Sequence, residues 1–346
     1  MNHYSKKQGV RRFPVSRILL CVKALSEIGI PAAETLDGTG LDENALESSE
    51  VRTSAEQFLH VLKNVAAIDP RPEIGLRIGL STRASTYGMY GYAMLCAPTL
   101  RAALDTGIRF QQLTGGMDNQ SWYVADDDAV ILPAGNSGLE EQGFSPREAR
   151  VISDFQTGGT VSVVRDVMGN WCRPSVVAFN GAAPDHVHAL ARLLGCPLVF
   201  DAPRNEVHYP TAMLERAPQF ANPITAEEVS ETCSRLLDEM LWDAGTTRRV
   251  YHELTNRPGQ FPDIETVASA LCMTSRTLRR KLEAEGTSFR QLLDKIRYAL
   301  ALDYLSSPKM PVDDIAYALG FSDTPSFRRA FKRWSGKNPS DLRPEQ

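Results

Sequence analysis

Basic side chains gather in two short segments near the C-terminal end of the chain, residues 275–284 and 324–335. The first segment carries Arg276, Arg279, Arg280 and Lys281, and the second carries Arg328, Arg329, Lys332 and Arg333. A guanidinium can bond O6 and N7 of one guanine together, and both arginine and lysine neutralise phosphates. The chemistry expected of these two segments is therefore contact with nucleic acid.

The distribution of charge along the chain supports that expectation. The 346 residues have a formal net charge of −4. Residues 1–246 contain 21 basic and 30 acidic side chains, whereas residues 247–346 contain 17 and 12. An acidic front and a basic tail are expected where one domain meets phosphates and the other does not. Because mild asymmetry also arises by chance, the elements that carry the basic residues matter more than the total.

The first basic segment follows a shorter amphipathic helix, as in a helix-turn-helix unit. The apolar residues at helical spacing are Ile264, Val267, Ala268 and Leu271 in the first helix and Leu278 and Leu282 in the second. A three-residue turn, 272–274, separates the two helices, and Thr274 or Ser275 can cap the second one. The small Ala268 stands where the two helices must cross closely.

The second basic segment repeats this pattern. Its inward-facing residues are Val312, Ile315, Ala316, Leu319, Phe327 and Phe331. Gly320 supplies the positive φ that the turn needs, and Asp323 or Ser322 can cap the basic helix. Pro325 is tolerated near the start of that helix because the N–H groups of a first turn have no partner within the helix.

A single long helix is predicted between the two pairs. Ser288 and Gln291 have capping-box spacing, and apolar residues keep helical spacing as far as Leu305. About nineteen residues at about 1.5 Å each span roughly 28 Å, which suits two reading helices about 34 Å, or one DNA turn, apart. One such helix pair occurs in many folds, but two capped copies with basic second helices predict an all-α DNA-binding domain.

Residues 247–346 resemble the DNA-binding domain of AraC/XylS-type regulators. The residues that carry the resemblance are Ile315-Ala316, Leu319–Asp323, Phe327–Lys332, Gly336, Pro339 and Arg343. The resemblance implies that the base-reading residues are Arg276, Arg279 and Arg280 in the first pair and Thr324, Pro325, Arg328 and Arg329 in the second. Many family members have a polar residue where this chain has Pro325, so that position offers only apolar contact with a thymine methyl.

The remaining basic residues of the two helices have a different expected role. Lys281, Lys332 and Arg333 are expected to contact phosphates, which position a protein without specifying sequence. The alternative for each residue of both sets is an exposed, solvated helix face. The family further implies a transcription regulator, as a rule an activator, that acts as a homodimer on double-stranded DNA and has RNA polymerase as a partner.

Residues 1–220 are predicted to form an α+β domain. Helices are expected at 15–28, from the capping box of Ser54 and Gln57, at 99–113 and at 185–194, and strands at 121–124, 130–132, 175–180 and 197–200. A helix over 226–242 lies within a linker assigned to 221–246. It could be a linker, a dimer contact or the last element of the front domain. The DNA-binding domain then covers residues 247–346.

The front domain is similar to the arabinose-binding-like N-terminal domain of ornithine-utilisation-type regulators in the same family. Gly75–Gly79, Tyr87–Ala93 and Thr99–Leu104 carry this likeness. It implies a bound small-molecule effector of unknown class, and the candidate pocket residues are Tyr90, Tyr92, Trp122 and Trp171. Each of these aromatics could equally belong to the core. The alternative function is a front domain that only dimerises or binds a protein partner.

Other classes of protein are not supported by the sequence. It has no G-x-S-x-G, H-E-x-x-H, P-loop or G-x-G-x-x-G motif, so we expect no enzyme and no cofactor. His186 and His188, two apart on a helix, do not face each other, and the aspartates at 126–128 lack the alternate spacing of a calcium loop, so no metal is expected. With no apolar run of roughly 18 residues and no signal-peptide core, we expect a cytoplasmic, nucleoid-associated protein and no membrane.

Overall fold

The computed structural model describes residues 12–48, 50–114, 120–134, 139, 143–184, 187–242, 245–255, 261–305 and 310–342. The chain forms two compact units, residues 1–237 and 238–346. The first unit combines helices with a sheet, and the described residues of the second form helices. This confirms the predicted fold class, an α+β front followed by an all-α domain. The domain limits at residues 220 and 246 remain predictions, and the helix Pro223–Trp242 runs across the division at residue 237.

The longest described helix of the first unit packs against several of the others. In chain order the helices are α1 Ser16–Ser26, α2 Ala32–Leu36, α3 Glu43–Glu47, α4 Ala55–Ile68, α5 Ile74–Leu80, α6 Met89–Cys96, α7 Leu100–Phe110, α8 Pro146–Met168, α9 Val187–Leu194 and α10 Pro223–Trp242. The capping box predicted at Ser54 and Gln57 is present at the start of α4. The helix predicted at 99–113 ends at Phe110 and passes into a 3₁₀ turn. The predicted start of α9 at Asp185 lies outside the described residues.

The strands form one small ribbon and one five-stranded sheet. They are β1 Phe13–Pro14, β2 Arg52–Thr53, β3 Ser121–Ala125, β4 Asp128–Leu132, β5 Val176–Ala178, β6 Leu198–Val199 and β7 Glu206–Pro210. The ribbon pairs β1 with β2, and the sheet has the order β3-β4-β7-β5-β6, antiparallel except for β5 with β6. The predicted β3–β4 hairpin is confirmed, with Tyr123 opposite Val130 and Asp126 at φ 52° in its turn.

A close crossing of α5 and α8 forms the centre of the first unit. A Cβ atom at Gly75 or Gly79 would clash with backbone carbonyl oxygens of α8, and one at Gly158 would lie 2.6 Å from the carbonyl oxygen of Leu76. The three glycines therefore let the two helix backbones touch. Around this crossing, a hydrophobic core takes side chains from α1, α4, α5 and α8.

The second unit consists of α11 Thr246–Thr255, α12 Ile264–Ala270, α13 Ser275–Ala284, α14 Phe289–Leu305, α15 Val312–Ala318 and α16 Thr324–Ser335. It has two hydrophobic cores. The N-terminal half of α14 contributes Leu292 and Ile296 to the first core, and its C-terminal half contributes Ala301 and Leu305 to the second. The predicted long helix thus joins the two helix pairs by belonging to both cores. Among the described residues, no helix has the length and apolar character of a membrane span.

Candidate nucleic-acid interface and front-domain cavity

The first helix-turn-helix unit consists of α12 and α13. Thr274 caps α13 by accepting a hydrogen bond from the backbone N–H of Thr277 at 3.2 Å. At the turn, the N–H of Cys272 donates to Ser269 and that of Met273 donates to Ala268, both at 2.9 Å. These bonds form a Schellman cap, whose central residue has left-handed backbone geometry. Cys272 accordingly lies at φ 56°.

The second helix-turn-helix unit, α15 and α16, has the same cap at the corresponding turn. The N–H of Gly320 donates to Tyr317 at 2.9 Å, that of Phe321 donates to Ala316 at 3.0 Å, and Gly320 lies at φ 71°. The predicted role of Gly320 in the turn is therefore confirmed. In the first helix-turn-helix unit, Cys272 occupies the equivalent position. A cysteine in the sequence does not indicate left-handed backbone geometry.

The start of α16 is held by two polar contacts. Asp323 caps the helix by accepting the backbone N–H of Ser326 at 2.7 Å, and this bond together with the Ser326 hydroxyl holds the pKa of Asp323 below its ordinary value. The Thr324 hydroxyl donates to Asp313 Oδ1 at 2.7 Å, which ties the start of α16 to α15. Of the two caps proposed for this helix, the structure has Asp323.

The basic residues predicted to bind DNA lie on the outer faces of α13 and α16. The exposed residues of this set are Arg276, Arg279, Arg280, Lys281, Pro325, Arg328, Arg329, Lys332 and Arg333, and Thr324 is half-buried. Opposite them, Leu278 and Leu282 of α13 and Phe327 and Phe331 of α16 are buried. The two helices therefore present basic faces while their apolar faces form the cores.

The arginines of these faces differ in what they contact. Arg333 Nη2 lies 3.1 Å from Asp294 Oδ2 of α14, and Arg279 Nη2 lies 3.7 Å from Glu265 Oε1 of α12. Arg329 donates to the Ser326 hydroxyl at 3.1 Å. The ion pair gives Arg333 a structural contact in addition to the phosphate contact predicted for it.

Arg297 of α14 is a residue that sequence reasoning missed. Its Nη2 donates to the carbonyl oxygen of Gly320 at 3.2 Å. Its guanidinium carbon lies 4.7 Å from the ring centroid of Phe321 and 5.0 Å from that of Phe261. Burial lowers the pKa of Arg297, and the charge of Asp294 opposes this effect. Arg297 thus fastens the turn of the second helix-turn-helix unit to α14, the helix that both cores share.

Glu285 is a second such residue. Its two carboxylate oxygens accept the backbone N–H groups of Thr246 at 2.8 Å and Thr247 at 2.7 Å, at the first turn of α11. Burial would raise the pKa of Glu285, but the hydrogen bonds from Thr247 and Thr246 outweigh it and lower the pKa. A carboxylate at a helix start is stabilised by the free N–H groups there. Glu285 lies 39 positions from Thr246, so no local capping pattern announces it.

The compact unit of residues 1–237 contains a partly open pocket, here called the cavity, whose empty volume of about 760 Å³ includes solvent space at its mouth. Arg17 of α1 lines it and is buried, with 7% of its surface exposed. Its Nη1 donates to the carbonyl oxygen of Thr114 at 3.1 Å, and its guanidinium carbon lies 3.8 Å above the ring of Phe58. A buried cation is thereby held at the cavity wall.

Of the four aromatics predicted for an effector pocket, Tyr90 is among the residues that line the cavity and the other three are not. Tyr90 lines the cavity, and its hydroxyl donates to the carbonyl oxygen of Gly107 at 3.1 Å. Tyr92 and Trp171 are exposed and are not among the residues that line the cavity. Trp122 lies on β3, where its Nε1 donates to Asp105 Oδ1 at 3.0 Å. Within the described residues, no group of three or more His, Cys, Asp or Glu residues could hold a metal ion.

Comparisons with known proteins cover both units. The family model described as the arabinose-binding domain of AraC transcription regulator, N-term, matches residues 29–218. A model described as a helix-turn-helix domain matches residues 267–345.

Relatives align over most of the chain. The chain is 30% identical over 334 residues to the ornithine utilization regulator of Pseudomonas aeruginosa, which covers 95% of this chain and 96% of that one. It is 38% identical over 299 residues to the HTH-type transcriptional regulator VirS of Mycobacterium tuberculosis, 83% of each chain. The crystal structure of the transcriptional regulator CdpR from Pseudomonas aeruginosa matches with a TM-score of 0.47 and 22% identity, covering 94% of this chain and 97% of that one.

The first family model covers more than half of the chain, and the duplicated helix-turn-helix units account for the second match. The chain therefore belongs to the AraC family and is a DNA-binding transcriptional regulator.

Proposed function

We propose that α13 and α16 read DNA bases in two successive major grooves on one face of the duplex. The observation that carries this proposal is the duplication itself: both helices follow the same capped turn and present exposed basic faces. Each shares a hydrophobic core with α14, whose 17 residues span roughly 26 Å. The proposed base readers are Arg276, Arg279, Arg280, Thr324, Pro325, Arg328 and Arg329, and the proposed phosphate contacts are Lys281, Lys332 and Arg333.

The test compares Arg280→Ala with Lys281→Ala on the operator and on random DNA at one salt concentration. Loss of a bidentate guanine contact costs about 1–3 kcal/mol of discrimination, roughly 5- to 150-fold on the operator alone. Loss of a phosphate contact weakens binding to both DNAs equally and lowers the salt dependence. Equal losses on both DNAs for Arg280→Ala would make it a phosphate contact.

We also propose that the cavity of the first unit binds the small-molecule effector. The supporting observation is a partly open pocket lined by the buried Arg17, by amide and hydroxyl groups and by apolar side chains, as in ligand sites generally. In this proposal, effector binding shifts the population of the states of a homodimer, and the favoured state recruits RNA polymerase and activates transcription.

A metabolite screen on the full chain tests the effector role. A compound that binds the native state raises the melting temperature, and the same compound should change transcription from the target promoter. Val163 lines the cavity, so Val163→Phe should abolish the response to the compound while leaving operator binding intact.

A front domain that only dimerises or binds a protein partner is the second candidate. Met89 and Tyr92, exposed by 39% and 45% on α6, favour it, because exposed apolar side chains suit a protein contact. If this second candidate is correct and α6 is a dimer contact, Tyr92→Ser should lower the molecular mass in solution, measured by sedimentation. No metabolite should shift the melting temperature.

A further inference from the structure

The strand β3 lies at one edge of the five-stranded sheet. It pairs with β4 on one side, and no strand among the described residues pairs with its other side. An edge strand presents a row of backbone N–H and C=O groups that can pair with one more strand. The outer side of β3 is therefore a candidate surface for a partner that binds as a strand.

The register of the sheet determines which backbone groups of β3 point outward. The N–H of Thr211 donates to the carbonyl oxygen of Asp127 at 2.8 Å, so the odd-numbered residues from 127 onward bond toward β7. Because bonding alternates along an antiparallel strand, the even-numbered residues of β4 bond toward β3. Their partners are the odd-numbered residues of β3. Trp122 and Val124 consequently turn their backbone N–H and C=O groups away from β4.

The sequence of β3 lacks the features that protect an edge strand from pairing. Natural sheets blunt their edges with charged side chains, proline or bulges. The strand Ser121–Ala125 reads Ser-Trp-Tyr-Val-Ala, and it pairs with β4 residue by residue without a bulge. Val124 exposes 49% of its surface. This edge is thus apolar, uncharged and open to pairing.

Resting on the homodimer proposed above, we propose that β3 pairs antiparallel with β3 of a second copy of this chain, about a two-fold axis at Tyr123. The outward groups of Trp122 in each copy then bond with those of Val124 in the other. The Trp122 side chain faces Val124 of the other copy, an aromatic–β-branched pair of the kind that stabilises antiparallel strands. A two-fold axis gives both copies the same contact, as in most homodimers. The sheets of the two copies join into one.

The ends of β3 select this register over its neighbours. An axis at Trp122 requires the backbone N–H of Gln120, which already donates to Gln111 Oε1 at 2.9 Å. An axis at Val124 requires Asp126, whose φ of 52° places it in the turn and not in extended backbone. The proposed register uses extended residues of β3 alone.

Charge also favours a second copy in this orientation. Arg101 of α7 lies near the start of β3, with its guanidinium carbon 5.5 Å from the centroid of the Trp122 ring. Its Nε bonds the exposed Glu215 at 2.7 Å, and its other N–H groups can still donate to a carboxylate. Asp126 and Asp127 follow the end of β3 and are exposed. Antiparallel pairing keeps the two acidic turns apart and sets each beside the Arg101 end of the other strand.

Disulfide trapping in the full chain tests the register. Ser121 of one copy should face Ala125 of the other as a non-hydrogen-bonded pair, whose side chains are close enough for a disulfide. Within one copy these positions are about 13 Å apart, so Ser121→Cys combined with Ala125→Cys can cross-link only between copies. Cys272, the exposed one of the six cysteines, is replaced by serine throughout. After oxidation with diamide, the double variant should form at least about tenfold more cross-linked dimer than either single variant.

Sedimentation equilibrium tests the hydrogen bonds of the contact. Val124→Pro removes an outward N–H and leaves the pairing with β4 intact, because that N–H does not bond to β4. By symmetry two hydrogen bonds are lost, and dimerisation should weaken at least about tenfold. Val124→Thr is the matched control, since it keeps the N–H and the β-branched shape, and should leave dimerisation unchanged. The trapping experiment does not depend on the folding of the proline variant.

The remaining outcomes separate this contact from the homodimer on which it rests. A dimer that Val124→Pro leaves intact and that forms no disulfide in the double variant would overturn the β3 contact, although the homodimer would stand. Equal cross-linking of the single and double variants would overturn the register. A chain that sediments as a monomer both alone and with operator DNA would overturn the contact and the homodimer together.

Discussion

At the scale of single residues, the two turns of the DNA-binding unit use the same backbone geometry with different side chains. Gly320 adopts φ 71° without steric cost, whereas Cys272 adopts φ 56° with a Cβ atom that crowds its own backbone. Left-handed geometry at a residue other than glycine costs about 1 kcal/mol or more. The first turn therefore carries strain that the second turn lacks.

Replacing Cys272 with glycine should therefore stabilise residues 238–346 by up to about 1 kcal/mol. The strain relieved is about 1–3 kcal/mol, and the entropy that glycine adds to the unfolded chain offsets about 0.5–1 kcal/mol of it. Urea unfolding of the full chain, followed at the transition of the second unit, measures the gain. Cys272→Ser is the matched control, because it removes the thiol and keeps the Cβ atom. A gain of the same size in the serine variant would show that the thiol, and not the backbone, is responsible.

A second residue-scale feature is His208 of β7. Its Nε2 lies 3.0 Å from Glu206 Oε2 and its Nδ1 lies 3.4 Å from Asp128 Oδ2. Burial lowers the pKa of His208, but the hydrogen bonds and charges of Glu206 and Asp128 outweigh this and raise it above 6.5. The protonated ring is thus favoured in the folded state.

The stabilisation from His208 should be fully present below about pH 6.5 and should be lost as the pH rises through the raised folded pKa. His208→Gln should consequently destabilise the first unit more at pH 6 than at pH 9. The difference is on the order of 1 kcal/mol, as for a partly buried charged hydrogen bond. Thermal melts at the two pH values measure it, and exposed His188→Gln is the control. A loss independent of pH would mean that the ring acts by packing alone.

Arg17 shows where residue-level prediction stopped. In the sequence, Arg17 belongs to the polar pattern of an amphipathic helix, and an exposed position is the natural expectation. The fold instead places Phe58 of α4 and the Thr114 carbonyl against it, 41 and 97 positions away in the chain. Tyr90 was a candidate pocket residue and does line the cavity. Contacts between distant segments, which no local pattern encodes, brought these two residues to one space.

At the scale of elements, the α5–α8 crossing depends on which face of α8 each glycine occupies. A Cβ at Gly158 would lie 2.6 Å from the Leu76 carbonyl oxygen and 2.9 Å from the Leu80 nitrogen. A Cβ at the neighbouring Gly159 would make ordinary contacts, the nearest with the Thr82 hydroxyl at 3.7 Å. Both glycines are in the interior of the same helix, so that their helix propensities cancel in a comparison.

The two alanine substitutions should consequently have opposite signs. Gly158→Ala should destabilise the first unit by about 1–3 kcal/mol through overpacking against backbone. Gly159→Ala should stabilise it by about 0.5–1 kcal/mol through helix propensity. Chemical unfolding of the full chain measures both. Stabilisation by Gly158→Ala would show that the two helices can separate at little cost.

The helix α8 was not predicted from the sequence, and its composition explains why. Its start carries clear signals, Pro146 in the first turn and a capping box of Ser145 and Glu148. Its middle, residues 157–160, is Thr-Gly-Gly-Thr, a run of weak helix formers that reads as a loop. Tertiary packing overrides that propensity, since the glycines are what allow α5 to approach. The strand β7 was also not predicted, although Val207 and Tyr209 are buried and alternate with less buried residues as in other strands.

At the scale of the whole molecule, the shared helix α14 sets the distance between the two reading helices of the proposed interface. Its two halves belong to different cores, and Arg297 fastens the second turn to it. Both helix-turn-helix units therefore pack on one helix. If the proposed interface is correct and α14 stays rigid, the DNA should present its two half-sites at one spacing.

Changing the spacing of the operator tests this rigidity. Inserting five base pairs between the half-sites turns them to opposite faces, and affinity should fall about 100-fold, the loss of one set of base contacts. Inserting ten base pairs restores the face but not the distance, and affinity should stay low. Gel-shift titrations at fixed salt measure both. Recovery of affinity with ten base pairs would contradict a rigid spacer and indicate that the two units move independently.

The sequence by itself determined the helix-turn-helix domain of this regulator, because helical periodicity, capping residues and Gly320 are local signals that each depend on a few neighbouring positions. The basic faces of α13 and α16 followed from the same periodicity. The tertiary structure alone decided the position of Arg17 at a cavity, the crossing of α5 and α8, and the roles of Arg297 and Glu285. Those features depend on which distant segments come into contact, and packing over the whole unit determines that.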